Sequence, residues 1–250
     1  QIMLKKKLIT FGDSWVWGVG SAYQEGMTEK EFYNIGWSDS ENSFREILSR
    51  QLEMENLNFS IGGSSNQKQF RLALDTFFGK NKTELKKGDI VLWGITSVYR
   101  TELWKESDQK WHDYMLPGDN ASSKMLAVFH HNEKEELKIL ENQIHLWNYY
   151  FKSQNVKNYW FNVFNDHVWG QKIENFLFEG SSLLSFLIDD YSANDKYHKS
   201  DWSDVDRKIK LAKKMKLVNP YSAHPNKLAH ERLAGVLKNK IDFSTGEKVV

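Results

Sequence analysis

The stretch Leu8-Ile9-Thr10-Phe11-Gly12-Asp13-Ser14-Trp15-Val16-Trp17-Gly18-Val19-Gly20 decides how the chain is read. Its first four residues suit a buried β-strand, and Gly12-Asp13-Ser14 then stops the strand and turns the chain toward a helix. Three further apolar runs have the same bounded form: Leu57 to Ile61, Ile90 to Val91-Leu92-Trp93, and Tyr159 to Phe164. Helical patterns lie between them. Ser43 to Met54 carries Phe44, Ile47, Leu48 and Leu52 on one side, with Ser43 and Glu46 spaced as a capping box. Asn66 to Phe78 aligns Phe70, Leu74, Phe77 and Phe78; Asn132 to Ser153 aligns Leu137, Leu140, Ile144 and Trp147. A last helix over Pro225 to Asn239 holds Leu228, Leu233 and Leu237. Strands alternating with helices predict a parallel sheet covered on both faces, because crossovers between parallel neighbours are right-handed. Residues 100–131 and 171–206 break the alternation. They are polar and rich in Trp104, Trp111, Tyr114, Tyr191, Tyr197 and Trp202, and are expected as excursions over the sheet edge that cover a substrate.

With 250 residues the chain can form one large α/β domain, and it shows no repeat, low-complexity tract or linker-like segment. The formal charge is +1, so no long-range field attracts an anionic polymer and nucleic acid is not expected as a partner. Lys5-Lys6-Lys7 reads as a solvated strand entry. There is no cysteine, which excludes disulfides, thiolate metal sites and a cysteine nucleophile. No apolar run is long enough to span a bilayer, and none has the form of a secretory h-region. These features favour a cytoplasmic or virion-associated protein.

In a parallel sheet, ligands bind beyond the carboxyl ends of the strands. After the first strand, Ser14 stands at a turn into a helix, where it can be a nucleophile beside free backbone N–H groups or simply a helix cap. After the second, Gly62-Gly63-Ser64-Ser65-Asn66 lets backbone approach a ligand closely. After the third come Thr96 and Ser97, whose hydroxyls can donate to an oxyanion or cap a helix. Arg100 follows and can hold a carboxylate or pair with an acid. Near the C-terminus, His224 precedes Pro225, a residue suited to a helix's first turn, so its imidazole is expected on a rigid loop. An exposed serine and a fixed histidine at one sheet edge form a nucleophile-and-base arrangement.

Together these segments resemble the SGNH/GDSL hydrolase superfamily. Phe11-Gly12-Asp13-Ser14 is similar to its first block, Asn58 to Asn66 to its second, and Ser222-Ala223-His224-Pro225 to its fifth. The resemblance implies a three-layer α/β/α, flavodoxin-like parallel sheet, with Ser14 as nucleophile, His224 as general base and Gly63 giving an oxyanion-hole N–H. Thr96 falls where the family carries an asparagine donor, with Ser97 beside it. The family's orienting aspartate has no counterpart, since Tyr221 and Ser222 occupy those positions. Asp166, Asp201, Asp204 and Asp206 are the available substitutes, and Trp15 and Trp17 either flank an acyl or sugar group or belong to the core.

The implied activity is hydrolysis of esters through a Ser14 acyl-enzyme, with acylated carbohydrate favoured by the aromatic excursions. The alternative is an inactive carbohydrate-binding or structural module on the same fold. Neither reading calls for a cofactor: no histidine pair has metal-ligand spacing, and Gly18 and Gly20 lack the third glycine of a dinucleotide fingerprint.

Overall fold

A computed structural model describes residues 5–35, 41–116, 118, 120–129, 131–167, 169–188 and 202–241. In chain order the elements are β1 (Lys7–Phe11), α1 (Ser14–Trp17), α2 (Glu29–Ile35), α3 (Phe44–Gln51), β2 (Glu55–Asn58), α4 (Asn66–Phe78), β3 (Ile90–Ile95), β4 (Arg100–Lys105), β5 (Lys110–Met115), α5 (Ala121–Phe129), α6 (Glu133–Ser153), β6 (Lys157–Asn162), α7 (Leu183–Leu187), α8 (Trp202–Lys214) and α9 (Lys227–Lys240). The main sheet has the order β2-β1-β3-β6, and every pairing in it is parallel. Both faces are covered, as an all-parallel sheet requires.

Alternation along the strands builds two cores. Leu8, Leu92 and Phe161 point toward α3, α7, α8 and α9, while Ile9, Phe11, Val91, Trp93 and Trp160 point toward α4 and α6. On the second face, strand register stacks aromatic rings across the sheet. Phe59 lies 5.4 Å from Phe11, Phe11 4.4 Å from Trp93, and Trp93 4.8 Å from Trp160, each pair within 19° of parallel. Phe70, Phe77 and Trp147 pack beneath this row.

Most sequence boundaries hold, with informative differences. α4 occupies Asn66–Phe78, but its inner stripe is Phe70, Ala73 and Phe77; Leu74 and Phe78 lie on an exposed flank. Leu228 is likewise exposed on α9. Pairing of β2 begins at Glu55 opposite Lys7, two residues before the apolar run, because edge pairing needs backbone and not apolar side chains. Phe59 and Ile61 then still donate to Thr10 and Gly12 carbonyls. The first excursion forms a hairpin, β4–β5, held on α4 by a bidentate Arg71–Glu102 pair and by Lys68–Asp113.

Two strand-end glycines make room for the helix that follows β1. A Cβ on Gly12 or on Gly94 would come 2.3 Å from Val16 Cγ2, so Val16 seats α1 directly against the sheet. Gly12→Ala or Gly94→Ala should therefore lower stability by about 1–3 kcal/mol through overpacking. Val16→Ala should recover most of that loss in the double variant, as read from urea unfolding midpoints.

Candidate active site

The site is assembled from the turn after β1, the turn after β2, the end of β3 and the loop before α9. Asp13 caps α1: its Oδ1 accepts the Trp15 N–H at 3.0 Å, and the next residue, Ser14, begins the helix with 7% of its surface exposed. Asp13 is wholly buried, and its Oδ2 accepts the Thr96 hydroxyl at 2.9 Å and Arg100 Nη1 at 3.1 Å. Burial raises its pKa, with Arg100, the Trp15 N–H and the Thr96 hydroxyl pulling the other way.

His224 Nε2 lies 2.8 Å from Ser14 Oγ. The loop that carries it is tightly determined. Asn219 donates its N–H to the His224 carbonyl, accepts the Ala223 N–H on its own carbonyl, and spends its side chain on the Tyr221 N–H and the Ser222 hydroxyl. Ala223 takes a left-handed φ of 55°, a conformation costing about 1–2 kcal/mol for a residue with a Cβ. Gly20, at φ 91°, lies so close that a Cβ there would stand 2.5 Å from the Pro225 carbonyl oxygen and 2.9 Å from His224 Cβ. Only glycine permits this approach, which brings two segments far apart in sequence to one edge.

Burial lowers the His224 pKa to about 4; the Arg100 charge acts the same way, and a hydrogen bond with the Ser222 backbone opposes it. The imidazole is thus a neutral base at ordinary pH. Among the described residues no carboxylate accompanies it. Asp166 accepts the Ser182 N–H, the Ser185 hydroxyl and the buried Lys208 ammonium, and Asp204 pairs with the same lysine and with Arg207. Both acids fix α7 and α8 instead of orienting His224. Asp201 lies outside the described residues, and Asp206 is exposed on α8.

On the opposite side of Ser14, the structure redistributes the expected donors. Thr96 is fully buried with its hydroxyl committed to Asp13, and Ser97 Oγ accepts the Tyr99 N–H. Thr96 thus has its proton spent on Asp13, whereas the Ser97 hydroxyl accepts and keeps its own proton to donate. Gly62 stands nearer to Ser14 than Gly63: a Cβ on it would lie 3.9 Å from Ser14 Cβ and 3.3 Å from the Trp17 ring, while Gly63, at φ 72°, faces open space. Among the described residues, no acceptor is found for the N–H groups of Ser14, Gly62 and Gly63. Trp15 is core, 1% exposed and edge-on to Phe164, whereas Trp17 is half-buried beside Gly62.

Three contributors escaped the sequence reading. Asn66 clamps the end of β3, accepting the Thr96 N–H and donating to the Thr96 carbonyl; its signal was only a helix-opening amide. His230 sits fully buried behind His224, accepting the Phe44 N–H on Nδ1, and burial lowers its pKa to about 3. It is one helical turn from the start of α9, on the face with Leu233, and that spacing was visible. Gly20 carried no signal beyond being a glycine.

A parallel sheet with a serine after its first strand and a histidine before its last helix is the layout that the SGNH/GDSL resemblance implied. No family model matches the sequence, and no curated protein matches it. Among solved structures the chain is similar to the acetyl xylan esterase Est2A from Butyrivibrio proteoclasticus, at 16% identity and a TM-score of 0.47 over 95% of this chain and 65% of that one. It is also similar to TesA, at 10% identity and a TM-score of 0.44 over 95% and 98% of the two chains. A member of the lipolytic protein G-D-S-L family from Veillonella parvula DSM 2008 matches at 11% identity and a TM-score of 0.41, over 94% and 97%. The chain spans a little under two thirds of the length of Est2A.

The two buried histidines link stability to pH. Both have folded-state pKa values below the ordinary 6.5, so the unfolded chain binds protons first and stability falls as pH drops from about 6.5 toward 4 for His224 and 3 for His230. Each contributes on the order of a few kcal/mol across its window. His230→Gln should flatten part of this decline in chemical denaturation measured between those pH values.

Proposed function

We propose that the protein is a serine-dependent ester hydrolase, and the 2.8 Å approach of His224 Nε2 to Ser14 Oγ carries this reading. Ser14 Oγ attacks the ester carbonyl carbon while its proton passes to His224 Nε2, giving a tetrahedral oxyanion. The unspent N–H groups of Ser14 and of the Gly62-Gly63 turn are the donors we assign to that oxygen. Collapse expels the alcohol, which takes the proton from His224, and leaves Ser14 acylated. Water, deprotonated by the same imidazole, then releases the acid and restores the serine.

Burial keeps the base neutral, and a hydrogen bond with the Ser222 backbone orients it. The substrate class we favour is an acylated carbohydrate. Two exposed indoles, Trp104 and Trp111, stand 5.7 Å apart on the β4–β5 hairpin, whose first residue reaches the site, and half-buried Trp17 flanks the serine. Flat aromatic surfaces of this kind suit sugar rings. The second reading is a carbohydrate-binding module on the same fold without turnover.

Hydrolysis of p-nitrophenyl acetate separates them. Ser14→Ala and His224→Ala should each reduce kcat/KM by roughly a thousandfold or more, with the fold retained. The acid limb of the kcat/KM profile should fall near pH 4, the depressed His224 value, and not near 6.5. No turnover by the wild-type protein, together with no labelling of Ser14 by a fluorophosphonate, would select the binding module.

A further inference from the structure

Among the described residues Arg100 is the cation bonded to Asp13 at this site, and its donors are only partly used. Its side chain is 12% exposed. Nη1 serves Asp13 Oδ2 at 3.1 Å and Thr96 Oγ1 at 3.2 Å; Nε is buried and meets no acceptor; the guanidinium lies 5.2 Å from the centre of the Phe164 ring. A guanidinium has five N–H donors in a rigid planar fork. With Nη1 committed and Nε closed off, the Nη2 edge is the remaining outlet. The guanidinium sits beside the reacting groups: its Nη1 partner Asp13 immediately precedes Ser14, and its charge acts on the His224 ring.

We propose that Arg100 donates from this edge to the negative oxygen of the tetrahedral adduct formed on Ser14. The proposal rests on the serine-nucleophile reading above. When the Ser14 Oγ–carbon bond forms, the carbonyl π pair moves to oxygen and the serine proton moves to His224, so one anionic oxygen appears where no charge stood before. Arg100 meets it with a charge-assisted hydrogen bond in a mostly buried setting. Asp13 balances the guanidinium in the resting state and fixes its orientation, so the donor needs no rearrangement when charge develops. Thr96 cannot take this part because its hydroxyl is held by Asp13.

The same geometry argues against Arg100 as a reader of substrate carboxylates. Two parallel bonds to a carboxylate need either Nε with Nη2 or both terminal nitrogens. Burial of Nε removes the first pairing, and commitment of Nη1 removes the second. One oxygen atom fits; a two-oxygen fork does not.

Phenylboronic acid tests this, since it forms an anionic tetrahedral adduct with a nucleophilic serine, and ¹¹B NMR distinguishes that adduct from the trigonal acid. The wild-type protein should bind it in tetrahedral form and Ser14→Ala should not. Arg100→Gln should weaken binding by about a hundredfold, the usual scale for one lost oxyanion donor. Arg100→Lys, which keeps the charge beside Asp13 but loses the fork, should still be about tenfold weaker, and decides the matter if the glutamine variant fails to fold. Unchanged boronate affinity in the folded Arg100→Gln or Arg100→Lys protein would overturn the proposal while leaving the serine nucleophile intact. Equal boronate binding by wild type and Ser14→Ala, or none by either, would overturn both. A loss confined to KM for the anionic ester p-nitrophenyl hemisuccinate, with p-nitrophenyl acetate turnover unchanged, would instead make Arg100 a carboxylate reader.

Discussion

The carboxylate of Asp13 holds the site together. Moving such a group out of water costs several kcal/mol unless its oxygens are bonded. Here they are: a helix-start N–H, a hydroxyl at the end of β3 and a guanidinium at the start of β4 all donate to it. Two stretches more than eighty residues apart, the turn after β1 and the β3–β4 connection, are thereby fixed beside Ser14 by one side chain. An apolar replacement would strand Arg100 in a buried place without its counter-charge, which is why such centres are far more costly to break in half than to remove entirely.

The packing around this hub shows how little room the turn has. Val16 lies between two glycines at the ends of adjacent strands, and Gly20 meets the His224 loop almost atom to atom. The serine and histidine therefore do not find each other by side-chain flexibility. Backbone positions set by glycine put them within hydrogen-bond reach, and strain at Ala223 is held in place by the Asn219 bonds around it.

Much of this was legible in the sequence. Bounded apolar runs and helical spacing marked the four parallel strands and α3, α4, α6 and α9, since burial on both sheet faces leaves a strong pattern. Ser14 and His224 followed from their places at strand and loop ends. What stayed hidden depends on partners distant in the chain. Thr96 was expected to face the site, but a hydroxyl turns toward the strongest acceptor available, and Asp13 had been read only as part of a turn. Asp166 was one candidate substitute for the orienting acid; it belongs to Lys208 on α8, a helix that the sequence reading does not assign. At the Gly62-Gly63 turn, a Cβ on Gly62 would stand 3.9 Å from Ser14 Cβ, while Gly63 takes a positive φ that its composition alone left open.

The row of rings across the sheet has an optical consequence. Trp93 and Trp160 are stacked nearly parallel at 4.8 Å on adjacent parallel strands, with Phe11 on the far side of Trp93. Indole transitions at that separation couple, so their near-ultraviolet circular dichroism belongs to the pair and exists only while β3 and β6 are in register. Both rings are buried within the second core, away from the serine edge. The molecule thus carries an intrinsic spectroscopic gauge of sheet pairing that chemistry at Ser14 leaves untouched, allowing loss of turnover to be told apart from loss of fold in a single unlabelled sample.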